Sequence, residues 1–450
     1  MKKIETVIRA ICFLVILGVL FFFATEILKD KRVEGEYNVT TKVKGFYAEP
    51  DDSLDFVFVG SSQMYADIAP AVLWNEYGIT SYDFCANEQP LWISYYYIKE
   101  ALKHQKPKAI VLDVFTVYGE DYEAEGVNHI NLDDLPWSMN KVNAIRNSVP
   151  EELQYSFFFE IAKYHSTWST FYDEKYTSTF GDHKDIWKGY SPFVFAREYK
   201  DIAPAEVIAM KECQPIPEKS EEWLKKIVEL TREEGVDLIL IKTPNGNAER
   251  QKLYNSVSQL AEDENVPFLN MNQMFDGEAH INVIQAEKVT AWLGKYLAEN
   301  YEVTDKRGEP GYAEWDESAA YFERYRLKCM LANADTYTEY MQVIEQGNYF
   351  AAIAARNTAG DYVELRQGGE VIAENKETDS PTIVKNLDHL SVNLSVSRES
   401  GEPVASLLMN EIDYSVNCDG INIAVYDPVL EEMVEMAGFD AKNGNLIIRK

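Results

Sequence analysis

The fold is decided by one stretch of the sequence, Asp55-Phe-Val-Phe-Val-Gly60-Ser61-Ser62-Gln63-Met64-Tyr65. Its four consecutive apolar residues, Phe56 to Val59, predict a strand that is buried on both faces, as in a parallel sheet. A glycine and two serines follow directly. Open parallel sheets place reactive groups at the carboxyl ends of their strands, where a glycine permits a sharp turn. The stretch therefore predicts the first strand of an α/β sheet with a hydroxyl group at its end.

Outward from this strand, apolar runs of strand length alternate with helical segments, which is the pattern of a parallel sheet with crossover helices. Because such crossovers are right-handed and must cover both faces, we predict a five-stranded parallel sheet in the order 2-1-3-4-5. The further predicted strands are Ser81–Cys85, Ala109–Phe115, Val236–Thr243 and Val266–Asn270, and the predicted helices include Pro70–Tyr77, Leu91–His104, Glu218–Glu234 and Ala248–Glu264.

The alternation stops between residue 116 and about residue 217, where aromatic and acidic residues are frequent and no period is sustained. We predict an insertion that packs over the carboxyl ends of the strands, where loops that shape a substrate site usually lie. His165 lies in this insertion. It is either a site residue or, in the simpler interpretation, a structural hydrogen-bonding group.

The composition limits the classes of function. A chain of 450 residues predicts two domains with additional segments. The formal net charge of −31 indicates that nucleic acid is not a partner, since its phosphates would be repelled. Five scattered cysteines have no short paired spacing, which argues against a zinc site, and we predict neither a metal nor a cofactor.

The amino terminus has the pattern of a membrane-inserted segment. Lys2, Lys3 and Arg9 precede or flank an apolar run from Ala10 to Thr25, and no small-x-small cleavage site follows it. We predict that residues 1–32 are a cytoplasmic stub and a transmembrane signal anchor, with a cleaved signal peptide as the alternative. The protein would then be a single-pass cell-membrane protein with the bulk of the chain extracellular.

A serine and a histidine suggest the chemistry. Ser62 follows the first strand, and His280, one of only six histidines, follows the last predicted strand. A doubly wound sheet brings these two positions to the same edge. A serine hydroxyl needs a base to become a nucleophile, and the base needs an acid to orient it. Asp276 and Glu278 precede His280, so either could be that acid.

These residues resemble the SGNH/GDSL hydrolase superfamily through Gly60-Ser61-Ser62 and through the acid ahead of His280-Ile281-Asn282. More narrowly, residues 55 to about 310 are similar to membrane-anchored SGNH-like proteins of Gram-positive envelopes, which are related to the teichoic acid D-alanylation and polysaccharide O-acetylation proteins. The resemblance implies a three-layer, flavodoxin-like α/β domain over residues 33–303, with Ser62 as nucleophile. Asn87 and Asn247 are its nearest matches for oxyanion donors. The family acid stands three residues before the histidine, whereas Asp276 stands four before it.

The carboxyl-terminal part has another pattern. Residues 304–345 predict a linker and helices, and residues 346–450 predict a smaller, mostly β domain, because short strands alternate there with turn residues. The stretch Asp419-Gly-Ile-Asn-Ile-Ala-Val-Tyr-Asp427, with Gly438-Phe439-Asp440 downstream, resembles the interleukin-like epithelial–mesenchymal-transition inducer domain. This resemblance implies carbohydrate binding.

Two functions are compatible with these patterns. The first is an extracytoplasmic esterase or O-acyltransferase that removes or transfers an acyl group on a cell-envelope polysaccharide or teichoic acid. Acetyl is the acyl group that we expect. The second is a non-catalytic envelope protein that binds glycan or a membrane-bound O-acyltransferase partner. The sequence leaves the acyl group, the polysaccharide and the choice between transfer and hydrolysis open.

Overall fold

The chain forms two compact units, Met1–Ala320 and Tyr321–Lys450, and the division between them falls inside one helix. The computed structural model describes residues 2–33, 38–121, 124–170, 178–181, 183–194, 204–245, 248–274, 280–357, 360–376, 380–387, 390–399 and 402–450. The first unit is an α/β structure with a five-stranded parallel sheet, and the second carries antiparallel sheets.

The sheet of the first unit confirms the predicted strand order. Its strands run in the order β2-β1-β3-β4-β5, and every neighbouring pair is parallel. Strand β1 is buried along its whole length, as its unbroken apolar sequence requires. The strands are β1 (Phe56–Val59), β2 (Ser81–Asp83), β3 (Ala109–Asp113), β4 (Asp237–Lys242) and β5 (Phe268–Asn270).

The helices of the first unit begin and end where local sequence signals place them. Pro70 opens one helix and Gly78 ends that same helix, while Gly235 ends another; both glycines adopt the left-handed conformation. The helices are α1 (Lys2–Leu28), α2 (Val39–Ala48), α3 (Ser62–Asp67), α4 (Pro70–Tyr77), α5 (Leu91–His104), α6 (Glu125–Leu132), α7 (Met139–Ser148), α8 (Gln154–Phe158), α9 (Ile161–Tyr164), α10 (Pro204–Ala209), α11 (Glu218–Glu234), α12 (Ala248–Asp263) and α13 (Val283–Asn300). Short 3-10 turns cover Phe115–Tyr118, Glu151–Leu153, His165–Thr170, Met271–Gln273 and Pro310–Tyr312.

Helices pack on the sheet according to the side-chain alternation of the strands. One face of the sheet, with Val57, Val59 and Ile110, shares a core with α5 and α11. Helix α13 packs against both α3 and α4, and the ring of Phe56 lies 5.4 Å from that of Tyr301, directly after α13. Because adjacent residues of β1 face opposite sides, a strand covered on both sides needs apolar residues throughout.

The insertion contains short helices, although no helical period is visible in its sequence. The reason lies in buried polar groups. The Lys141 ammonium donates to the backbone oxygens of Asp133 and Leu135 at 2.8 and 3.1 Å and pairs with the Glu160 carboxylate at 2.9 Å. Such buried hydrogen bonds add to the apolar packing of Leu132, Ile145 and Phe157, and a periodicity of hydrophobic residues cannot reveal them.

The second unit contains two antiparallel sheets and two helices, and the division between the units falls within the first of these helices. The sheets have the orders β15-β14-β13-β6-β7-β8 and β12-β11-β10-β9. The helices are α14 (Ala313–Asn333) and α15 (Tyr337–Gly347). The strands are β6 (Phe350–Ala355), β7 (Tyr362–Gln367), β8 (Glu370–Asn375), β9 (Thr382–Asn386), β10 (Ser391–Glu399), β11 (Glu402–Met409), β12 (Ile412–Asp413), β13 (Ile421–Asp427), β14 (Glu432–Phe439) and β15 (Leu446–Arg449).

Two cores hold the second unit together. One side of the central strands β6 and β13 packs on the helices through Ile353, Ile423 and Val425. The other side packs on the smaller sheet through Ala352, Ala354 and Ala424. The apolar residues of strands β9, β12 and β14 are few or irregularly spaced, and pairing with neighbouring strands forms these three strands.

The first helix contains a segment, Ile4–Leu28, whose 25 residues are apolar enough and long enough to cross a membrane. Side chains 4–24 are exposed in the structure. The segment is either a membrane anchor or a signal sequence, as the sequence predicts.

Candidate active site

The turn after β1 is shaped by Gly60. Its φ of 153° lies in the region that favours glycine, and a Cβ atom at this position would lie 2.5 Å from the Cβ of Asp113. The close approach brings the carboxyl ends of β1 and β3 together. The Ser61 hydroxyl uses this proximity, because it donates to Oδ2 of Asp113 at 2.6 Å and accepts the backbone N–H of Gln63 at 3.2 Å. Ser61 thus caps α3 from a fully buried position and points away from solvent.

Ser62 is the first residue of α3, at the carboxyl end of β1. It is 7% exposed, and its hydroxyl forms no hydrogen bond with any residue that the structure describes. The direct hydrogen bond from Ser62 to His280 that a working pair would make is therefore absent from this conformation. The hydroxyl is nevertheless uncommitted, unlike that of Ser61.

His280 is held by Gln63 instead. Nδ1 of His280 lies 3.0 Å from Nε2 of Gln63, and Oε1 of Gln63 accepts from Nδ2 of Asn245 at 3.1 Å. The second contact orients the Gln63 amide so that its N–H faces the imidazole, which makes Nδ1 the acceptor. In the neutral ring the proton then lies on Nε2. The ring of Phe193, from the insertion, stacks on His280 with the centroids 5.0 Å apart.

Of the predicted acids and oxyanion donors, the structure describes only Asn87. Asp276, Glu278 and Asn247 lie outside the residues that the structure describes. Asn87 is half-buried after β2, where its Oδ1 accepts the Tyr65 hydroxyl at 3.3 Å and its backbone oxygen accepts from Asn131 at 2.9 Å. No partner of the Asn87 side-chain N–H₂ is found among the described residues, so this donor is available.

His165 is exposed, and its Nδ1 lies 3.0 Å from the backbone oxygen of Ala162 three residues earlier. This local contact favours the structural interpretation of that histidine.

A buried charged cluster lies beneath the turn, and sequence reasoning missed it. Asp113 ends β3 and Lys242 ends β4, and both are almost completely buried together with Asp67 of α3. Burial lowers the pKa of Lys242 to about 8, although Asp113 and Asp67 partly offset that effect. Burial also raises the pKa of both aspartates. The sequence feature that could have revealed this cluster is a charged residue, Asp113 or Lys242, at the end of an otherwise apolar strand.

The cluster also reaches the histidine loop. Oδ1 of Asp67 accepts the backbone N–H of Ile281 at 3.4 Å, and the hydroxyl of Thr290 in α13 donates to the Asp67 backbone oxygen at 3.5 Å. The residue that follows His280 is thus connected to the helix that begins with Ser62. Gln63 and Asn245 are further site residues that the sequence did not indicate, because a single glutamine or asparagine forms no recognisable sequence motif.

In the second unit, two polar residues of the Asp419–Asp427 stretch, Asn422 and Asp427, serve the fold. Asn422 is fully buried, where its side chain accepts from the backbone of Cys418 at 2.9 Å and donates to the backbone of Ala354 at 3.2 Å. Asp427 accepts from the Nε of Arg324 at 2.8 Å and from the backbone N–H of Val429 at 2.8 Å. These side chains stabilise strand ends and a turn rather than presenting ligand groups.

Within the described ranges, no group of three histidine, cysteine, aspartate or glutamate side chains is arranged to hold a metal ion. All five cysteines are free thiols. Comparison of the sequence with protein-family models and with curated proteins gives no match. The structure itself describes an α/β protein with a serine hydroxyl and a histidine at one sheet edge.

Proposed function

We propose that the protein is an extracytoplasmic acyl esterase or O-acyltransferase of the SGNH type, acting on a cell-envelope polysaccharide or teichoic acid. One observation carries the proposal. The uncommitted Ser62 hydroxyl lies at the carboxyl end of the first strand, and the next residue in the chain, Gln63, contacts His280. A flavodoxin-like strand order and the resemblance around Gly60-Ser61-Ser62 support the same interpretation.

In the proposed reaction, Ser62 Oγ attacks the ester carbonyl carbon while His280 accepts the hydroxyl proton. The tetrahedral intermediate collapses, the sugar alkoxide takes that proton and leaves, and the acyl group stays on Ser62. Water, or a second sugar hydroxyl, then releases it. The free side-chain N–H₂ of Asn87 would donate to the oxyanion, and Asp276 or Glu278 would orient the imidazole.

For Ser62 to lose its proton, the contact between Gln63 and His280 must change. Nε2 of the imidazole carries the proton while Nδ1 accepts from Gln63, so Nε2 cannot accept from a serine. Substrate binding would therefore have to turn the ring or transfer its proton. The site would be a resting form that is completed only with an ester in place, and catalytic contacts often tighten in this way.

The test is hydrolysis of an aryl acetate by the full chain in detergent. Ser62→Ala and His280→Ala should each lose at least about 10³-fold in kcat/KM. Ser81→Ala is the matched control, since Ser81 is also buried and starts the neighbouring strand at the opposite end of the sheet. Its hydroxyl has no hydrogen-bond partner among the described residues, so activity should be unchanged. Full activity in Ser62→Ala would refute the nucleophile.

A second candidate function is a non-catalytic envelope protein that binds glycan or a membrane-bound O-acyltransferase partner. The amide of Gln63 at His280 Nδ1 favours it, because a ring held in that tautomer is a poor base for Ser62. Under this alternative, the wild-type chain would not hydrolyse the aryl acetate. Envelope glycan would also bind equally well to the wild type and to Ser62→Ala in a sedimentation assay.

A further inference from the structure

The end of the apolar helix is built into the first unit. The Lys29 ammonium lies 2.6 Å from Oε1 of Glu26 and 2.8 Å from Oε2 of Glu160, and it also donates to the backbone oxygen of Asp133 at 3.1 Å. Lys29 and Glu160 are both buried. The hydroxyl of Thr167 donates to the backbone oxygen of Leu28 at 2.5 Å. The helix therefore does not simply precede a domain; its last turn is part of the packing.

Cleavage by a signal peptidase after Leu28 would remove Glu26, one of the two carboxylates that pair with the buried Lys29. Glu160 is shared between Lys29 and the buried Lys141, whose Nζ lies 2.9 Å from Oε1 of Glu160. A buried ionic group is stable only while its partners are present, because the remaining charges would be left without compensation. The ionic contacts across the junction thus favour retention of the helix.

Exposed aromatic side chains surround this junction. Trp168 follows Thr167, and Phe159 precedes Glu160, so each adjoins a residue that contacts the end of the helix. The ring of Phe180 lies 5.8 Å from that of Phe23, in α1. Trp137 lies under the Lys141 ammonium, 4.6 Å from the ring centroid. We name these four residues the aromatic collar; their exposed fractions range from 43% to 72%.

We propose that the aromatic collar lies in the interfacial layer of the membrane, so that the first unit rests on the lipid surface beside its own anchor. Ile4–Leu28 is 25 residues long, or roughly 37 Å as helix, against a hydrocarbon core of about 30 Å. Glu5 and Arg9 lie in the first turns, so the stretch from Ala10 to Leu28, roughly 28 Å of helix, spans the hydrocarbon and its end reaches the headgroup region. The collar adjoins this end of the helix.

The chemistry of the collar fits a lipid surface. Tryptophan and other aromatic rings concentrate at membrane–water interfaces, where an amphipathic ring satisfies both environments. The chain has a net charge of −31, so its total charge supplies no attraction to anionic headgroups. Docking would depend on aromatic burial and on the retained helix, and it would occur on zwitterionic lipid.

The experiment uses the full chain in phosphatidylcholine vesicles in which bromine atoms lie either near the headgroup or near the bilayer centre. Headgroup-proximal bromine should quench the intrinsic tryptophan fluorescence, and Trp168→Phe should lose about half of that quenching, with Trp137 as the source of the rest. Trp292→Phe is the matched control, because Trp292 is half-buried on α13 outside the collar, and its quenching should equal that of the wild type.

Three results would overturn the proposal. One is equal quenching in the wild type and in Trp168→Phe. Another is stronger quenching from the bilayer centre than from the headgroup region. The third is amino-terminal sequencing of the membrane fraction of expressing cells that shows a chain beginning after Leu28. Trp168→Phe preserves an aromatic ring on an exposed turn, so its folding, checked by circular dichroism, should match the wild type.

Discussion

Nε2 of Gln63 lies 3.0 Å from Nδ1 of His280, which joins the first turn of α3 to the loop before α13. The contact places a neutral amide where a serine–histidine site of the kind proposed would have an acid. An amide N–H and a carboxylate impose opposite tautomers on the imidazole, because one donates to Nδ1 and the other accepts from it. In the proposed mechanism, residue 63 would therefore control whether His280 can act as a base.

Replacing Gln63 by glutamate should raise esterase activity. The carboxylate would accept a proton from Nδ1, leave Nε2 free to accept from Ser62, and stabilise the imidazolium that forms, so we expect a gain of about 10-fold or more in kcat/KM for an aryl acetate. Gln259→Glu, on the exposed side of α12, is the control for added charge. A loss of activity in Gln63→Glu would mean that the amide itself donates to the reacting group.

Gly60→Ala should destabilise the first unit strongly. The new Cβ would need both an unfavourable φ of 153° and a 2.5 Å contact with Asp113, so we expect the free energy of unfolding to fall by about 2–4 kcal/mol. Gly235→Ala is the control, because Gly235 has a φ of 68° but nothing within 4 Å of the added Cβ, and it should cost about 1–2 kcal/mol. Equal losses of unfolding free energy in the two variants, measured by urea denaturation, would show that the close approach to Asp113 does not destabilise Gly60→Ala.

Stability should rise with pH in the mildly alkaline range because of Lys42. Burial lowers the pKa of Lys42 to about 8, while Asp185 and Asp83 partly offset that shift, and the ammonium contacts the neutral side chains of Asn38 and Ser191. Above that pH the folded state has released the proton, whereas the unfolded chain keeps it up to about pH 10.4. More protons are bound to the unfolded state in this window, so the free energy of unfolding increases with pH.

The measurement compares the wild type with Lys42→Met by urea denaturation at about pH 8 and at about pH 9.5. The wild type should gain roughly 1–2 kcal/mol more than the variant between these values. Lys242 also has a pKa lowered to about 8 by burial, so part of the slope persists in the variant. Identical slopes would show that Lys42 is protonated equally in both states.

The second unit should fold without the first, provided that its helices are included. A fragment of residues 313–450 keeps Leu331, Tyr340 and Ile344, which pack on the central strands, and it should show one cooperative thermal transition by circular dichroism. A fragment of residues 348–450 lacks these side chains and exposes the same face of the sheet to water, so it should show no cooperative transition. Cooperative melting of the shorter fragment would mean that the helices are dispensable for this core.

The framework of the first unit follows from local features of the sequence. The unbroken apolar run Phe56–Val59 predicted a strand buried on both faces, and proline and glycine at Pro70, Gly78 and Gly235 marked the helix ends that the structure has. These features are local, because they depend on side-chain alternation and on backbone preferences that each residue carries with it. Strand order followed from the handedness of crossovers, which is a general rule rather than a property of particular contacts.

The groups that meet at the sheet edge, by contrast, depend on long-range packing. Gln63 and His280 are 217 residues apart, and Ser61 and Asp113 are 52 apart, so neither contact leaves a short-range pattern. The buried charges of Asp67, Asp113 and Lys242 were equally invisible, because the stability of an ion in a protein interior depends on neighbours that the fold supplies. The sequence placed a hydroxyl and an imidazole on one edge; the packing of distant loops placed an amide at the imidazole.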